Sequence, residues 1–240
     1  MSAESRVHRF DRLVGGAAIV VAPILFAFAE IANPATGDTP AEELSSGAPH
    51  LGLWLAVIYA GIASSILFVV GTLALVGILH RRGAVLVRVA AAFTVLGACL
   101  SGLVLAGLQT ALHGMAAPGV DHAAMIKFLN TESQDAAVLP FVAGHYLFAL
   151  GVILLGVAIW RSGFGSRWAG VAVALGVVVD VVFGILGLDQ SRTGDIVISA
   201  VSDGLMVVGF AAIGLRVMFP LPGREAAARE RLLGGAASRA

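Results

Sequence analysis

With 240 residues, 58% of them hydrophobic and only 12% charged, and a mean hydropathy of +0.94, the chain holds more apolar side chain than a soluble core of its length can hide. Its 15 basic and 15 acidic residues cancel, which excludes a global basic footprint for nucleic acid. The single cysteine, Cys99, excludes an internal disulfide and paired-thiol redox chemistry within the chain.

Lipid is therefore the expected solvent. Long unbroken apolar runs predict helices rather than period-2 barrel strands, because a helix satisfies every backbone polar group within its own segment. The expected fold is all-α, a polytopic membrane bundle of six transmembrane helices. Residues 1–12 form a polar lead-in with Arg6, Arg9 and Arg12 ahead of the first span, 13–32. Pro23 is expected to kink that span. A secretory signal peptide is the rival reading of this start, with Ala27-Phe28-Ala29 as the cleavage site. The connection Asn33 to His50 contains Pro34, Pro40 and Pro49, is acidic and lacks Lys and Arg, the composition of an irregular outer loop. The second span, 51–79, turns at His80-Arg81-Arg82-Gly83 into the third, 88–112.

In the next connection Asp121 is the expected N-cap of a short amphipathic helix over 121–129, lying at the interface. Thr131-Glu132-Ser133-Gln134 fits a capping box ahead of the fourth span, 139–160. A basic connector leads to the fifth span, 168–188, and the sixth runs over 196–218. The tail, 219–240, opens with Phe219-Pro220-Leu221-Pro222-Gly223, and a surface-lying helix is expected beyond it. All of the 15 Lys and Arg residues except Lys127 and Arg192 fall in or beside the lead-in, the connectors after the even-numbered spans and the tail. The positive-inside rule then places both termini in the cytoplasm and the protein in the cytoplasmic (inner) membrane. Trp54 is expected at the outer interface, and Trp160 and Trp168 at the inner one.

The second and third spans align with the fourth and fifth. Leu67-Phe68 matches Leu147-Phe148, Gly71 matches Gly151, Arg81 matches Arg161, and Gly97 and Ser101 match Gly176 and Asp180. Such a pattern predicts a repeated helical hairpin. The connector Arg161-Ser162-Gly163-Phe164-Gly165-Ser166-Arg167-Trp168 resembles the R-S-x-x-P-R-W connector of a bacterial family of small six-helix membrane proteins known only as a domain of unknown function, with Ser166 where that family has proline. The resemblance implies an architecture and no activity.

Counted at about 1.5 Å per residue from the outer helix ends, His145, Asp180 and Asp203 come out at one depth, about 11 to 13 Å. A mid-span aspartate costs roughly 2.5 to 3.5 kcal/mol to insert, so such a layer needs partners, water or a function. These three, with Ser65, Ser101, Tyr146 and Ser202, are the candidates for a polar binding or proton-coupling layer; Ser64 could line it too. Glu30, Gln109 and Gln190 are expected at the outer rim. Hydrogen-bonded struts between helices are the competing explanation for the layer, since Asp180 sits in the small-residue face Gly176-x-x-x-Asp180-x-x-x-Gly184. No catalytic set is recognisable: the Gly-x-Gly-Asp and Gly-x-Ser-Gly protease signatures, Walker and dinucleotide loops, CxxC and HExxH are all missing from the sequence. Neither a metal nor another cofactor is expected, and haem is disfavoured because His145 alone among the histidines lies well inside a span. The leading expectation is a protein that binds or transports a small solute or lipid through an outward-facing polar cavity. A non-catalytic accessory or scaffold protein is the alternative, and an intramembrane enzyme comes third. The expected partners are the bilayer and that solute or lipid, not nucleic acid, with oligomer contacts through small-residue helix faces.

Overall fold

The computed structural model describes residues 3–37, 39–79, 84–131, 135–164, 166–186 and 192–220, and every regular element among them is helical. In chain order these are α1 (Ala3–Ile31), α2 (Pro40–Gly47), a 3-10 turn (Ala48–His50), α3 (Leu51–Leu79), α4 (Ala84–Gly97), a π segment (Ala98–Leu103), α5 (Val104–Met115), α6 (His122–Thr131), α7 (Asp135–Ser162), α8 (Arg167–Leu186) and α9 (Arg192–Met218). Among the described residues five stretches are long and apolar enough to cross a bilayer: Phe10–Ile31, Pro40–Leu79, Ala84–Met115, Leu139–Ser162 and Ile196–Met218. Around the outside, Ile66, Leu73, Leu96, Leu150, Val171 and Val208 are all exposed, the surface of a bundle solvated by lipid. The chain is an all-α, multi-pass membrane protein.

The long helices form a closed ring. α1 packs on α3, α3 on α4, α4 on α7, α7 on α8, α8 on α9, and α9 returns to α1. Lipid gives apolar helices no hydrophobic reason to associate, so the seams depend on close packing at small residues. At the α4–α7 seam a Cβ added to Gly97 would strike the Phe148 backbone, and one added to Gly151 would strike Thr94. At the α8–α9 seam a Cβ on Gly176 would stand 2.6 Å from the Ser202 carbonyl oxygen. A Cβ on Gly214 would stand 2.6 Å from that of Gly16 between α9 and α1.

One half of the ring is filled. Leu75, Val87, Val152, Ile159, Val173 and Ile213 belong to a buried core toward the end that carries Arg12, Arg161 and Arg167. At that basic end Gly163 takes a left-handed φ of 63° just after α7, the usual glycine stop of a helix. The Ser162 hydroxyl donates to the Ile159 carbonyl (2.8 Å) and accepts from Phe164 N–H (3.1 Å), turning Phe164 back onto the core. Arg12 Nε donates to the Val217 carbonyl (3.3 Å), fastening α1 to the end of α9.

The opposite end is capped by α2 and α6. Instead of an irregular loop, part of the connection after α1 is α2, started by a full capping box. Thr39 accepts from Glu42 N–H, the Glu42 carboxylate accepts from Thr39 N–H, and Pro40 sits at the first helical position. α6 begins where expected, with the Asp121 carboxylate accepting from Ala124 N–H at 3.1 Å. Trp54 is fully buried, in a second small core with Ala35, Leu44, Ile58, Leu112 and Ala116, so at this end it faces other helices rather than lipid. The third expected span is not one uniform helix, since the π segment divides α4 from α5. The turn at 80–83, most of the capping box before α7 (132–134), Gln190 and the tail from 221 fall outside the described residues.

Candidate functional site

Toward the capped end a half-open cavity of about 1010 Å³ lies between α1, α3, the π segment with α5, and α7. Its wall is aromatic on the core side. Phe26, Phe68 and Phe148 form part of the wall and meet one another, with Phe68 and Phe148 edge to face at 5.1 Å and Phe26 stacked against Phe148 at 6.1 Å. Phe210 of α9 backs Phe68 at 5.8 Å and closes the centre of the ring. The cavity thus ends where the filled core begins.

Its polar groups are placed by local structure. Glu30 comes from the last turn of α1, Asn33 and Thr36 from the connection after it, Ser65 from α3, Ser101 from the π segment, Gln109 from α5 and His145 from α7. A π turn adds a residue to the helical repeat and re-aims its side chains, which is why such turns recur at functional sites. Ser101 lies in this turn, and its hydroxyl donates to the Gly97 carbonyl at 2.7 Å. Gly102 admits Ser65 against the same turn, for a Cβ there would strike the Ser65 hydroxyl. Ser65 itself donates to the Gly61 carbonyl at 3.0 Å.

His145 connects this cavity to an acidic pair. The ring lines the cavity wall, and its Nε2 stands 4.0 Å from Asp180 Oδ2 on α8. Asp203 lies on α9, which packs against α8. Asp203 is only 3% exposed, and its Oδ2 accepts no hydrogen bond among the described residues. A buried carboxylate oxygen without a donor is costly, whereas His145 and Asp180 are both half-exposed.

A second polar chain closes the capped end. Trp54 Nε1 donates to Gln109 Oε1 (2.6 Å), and Gln109 Nε2 donates to Glu43 Oε2 (2.7 Å), joining α3, α5 and α2. His113 Nε2 lies 3.1 Å from the Leu51 carbonyl oxygen, with its ring edge-on to Trp54 at 5.7 Å. Gln109→Leu strands a buried indole N–H and removes the Glu43 donor, and we expect it to cost about 1–3 kcal/mol. Unfolding in detergent measures this; Trp54→Phe added to Gln109→Leu is expected to recover part of the loss. An unchanged Gln109→Leu protein would show that the chain carries no stability.

Of the residues singled out in the sequence, Glu30, Ser65, Ser101, Gln109 and His145 share the cavity wall. Asp180, on α8, is as exposed as the His145 it faces, and Asp203 is buried on α9. Ser202 is fully buried and donates to the Ser199 carbonyl (3.2 Å) at the α8 seam. Ser64 is buried and donates across to the Ala22 carbonyl of α1 (2.8 Å). Tyr146 lies 52% exposed, with its ring edge-on to His145 at 5.8 Å, and is not part of the cavity wall. Sequence reasoning missed the Trp54–Gln109–Glu43 chain and the phenylalanine wall. The phenylalanines were visible only as a recurring Leu-Phe pair, whereas the Trp54 contact spans 55 positions and leaves no local trace.

Fold and site together define a multi-pass helical membrane protein with a half-filled bundle and a cavity at one end. No family model, curated protein or solved structure matches the chain.

Proposed function

We propose that the protein binds or passes a small solute or lipid through this cavity, with His145, Asp180 and Asp203 exchanging protons alongside it. In this reading α8 is the sixth span, both termini are cytoplasmic, the capped end faces outward, and 13–218 is one transmembrane domain. The Lys and Arg distribution supports that orientation, and the resemblance at residues 161–168 agrees with a six-helix layout. The observation that carries the proposal is the position of His145, in the wall of a cavity of about 1010 Å³ and 4.0 Å from an intramembrane acid. Ionisable groups inside a membrane mark substrate and proton paths more often than they mark packing.

A non-catalytic accessory role is the second reading. It is favoured by Gly107 and Gly204, where an added Cβ would meet open space and a partner helix could approach closely. Native mass spectrometry of the protein released from its own membrane distinguishes the two. The cavity reading expects one retained small molecule or lipid that Ala106→Trp, a substitution in the cavity wall, displaces without lowering the melting temperature. Identical spectra from the wild type and a folded Ala106→Trp protein would favour the accessory role.

A further inference from the structure

We propose that the cavity's occupant is an amphipathic organic monocation, an amine or quaternary ammonium carried on an apolar body; this rests on the cavity reading above and names its ligand class. Three independent features of the wall agree. The first is charge. Glu30 is the acidic residue in the wall, which contains no Lys or Arg and whose histidine, His145, stands 4.0 Å from Asp180, and the sequence from Leu13 to Leu79 holds Glu30, Asp38, Glu42 and Glu43 without one Lys or Arg. A low-dielectric cleft lined by one sign of charge concentrates the opposite ion.

The second feature is hydrogen-bonding polarity. Ser65 and Ser101 donate their hydroxyl protons to carbonyls of their own helices, so they can offer lone pairs to a ligand. Gln109 is engaged at both ends, its oxygen by Trp54 and its nitrogen by Glu43. Ser65 and Ser101 thus accept rather than donate, which suits a cation, and Asn33, Thr36 and His145 complete the polar part of the wall. The third is the aromatic surface. Phe26, Phe68, Phe141 and Phe148 present rings to the cavity, and the negative ring faces attract organic cations while the rings receive an apolar body. The volume is that of a drug-sized ligand rather than a bare ion, and among the described residues no group of at least 3 His, Cys, Asp or Glu could hold a metal.

Tetraphenylphosphonium and tetraphenylborate test this directly, because they share size and shape and differ in the sign of charge. Binding is measured to the full chain in nanodiscs, with empty nanodiscs as the partition control. We expect saturable binding of the cation with none of the anion, a loss of about tenfold in affinity for Glu30→Gln, and recovery in Glu30→Asp. Phe141→Leu is expected to weaken the cation by roughly threefold. Saturable anion binding, or cation binding unaffected by Glu30→Gln, overturns the proposal. In parallel, a Ser65→Cys protein on a Cys99→Ser background is treated with an impermeant thiol reagent. Labelling without cation binding sinks the ligand class and leaves the cavity standing; no labelling and no binding sinks both.

Discussion

Replacing Gly97 with leucine is expected to take the bundle apart. Even a methyl group at this position would strike the Phe148 backbone, and backbone cannot yield as the tip of a flexible side chain can. The α4–α7 seam would have to open along its length, separating the π segment from the helix that carries His145. Overpacking of this kind costs on the order of 3 kcal/mol or more where the obstacle is rigid. Gly204→Leu is the matched control, because an added Cβ there meets open space; it is expected to stay within about 0.5 kcal/mol of wild type. Thermal unfolding in detergent compares the two. Equal melting temperatures would mean that close approach at the seam does not hold the ring together.

The second large effect has the opposite sign. Asp203→Leu is expected to stabilise the protein by about 1–3 kcal/mol, because it removes a buried carboxylate whose Oδ2 has no donor among the described residues. A residue that costs stability is retained for what it does. Were Asp203 a strut between helices, the same substitution would destabilise by breaking the bond it supplied. Denaturation of the two proteins in one detergent decides by sign alone, and a lower stability for Asp203→Leu assigns the layer to packing.

How far the architecture was legible depended on the range of the interactions that set it. The second span was bounded by local signals, and α3 runs over Leu51–Leu79 as the apolar run does. Depth is arithmetic on helical rise; it put His145 and Asp180 at one level, and they stand 4.0 Å apart. Facing is not arithmetic in an all-apolar helix. Nothing local distinguishes His145 in the cavity wall from Tyr146 beside it, which is 52% exposed, since lipid and core select the same side chains. The helix α2 was hidden by composition: Pro, Gly and Ser around Thr39 and Glu42 read as loop, although those two residues form a capping box with Pro40 at the first helical position. The π segment left no mark in Ala98-Cys99-Leu100-Ser101-Gly102-Leu103, where Gly102 makes room for Ser65 from another helix. Trp54 has the composition of a belt residue, and only Gln109, 55 positions on, makes it a core one.

The central claim is that water reaches His145 from the capped end and that Asp203 is out of its reach. On a Cys99→Ser background, cysteine is placed in turn at positions 145 and 203 and treated from outside the cell with an impermeant thiol reagent, with Ser45→Cys on exposed α2 as the control. We predict labelling at 145 and protection at 203, with a bulky cation in the medium slowing the reaction at 145. Labelling of the control with none at 145 in folded protein would contradict the account and leave the polar layer a set of dry contacts between helices.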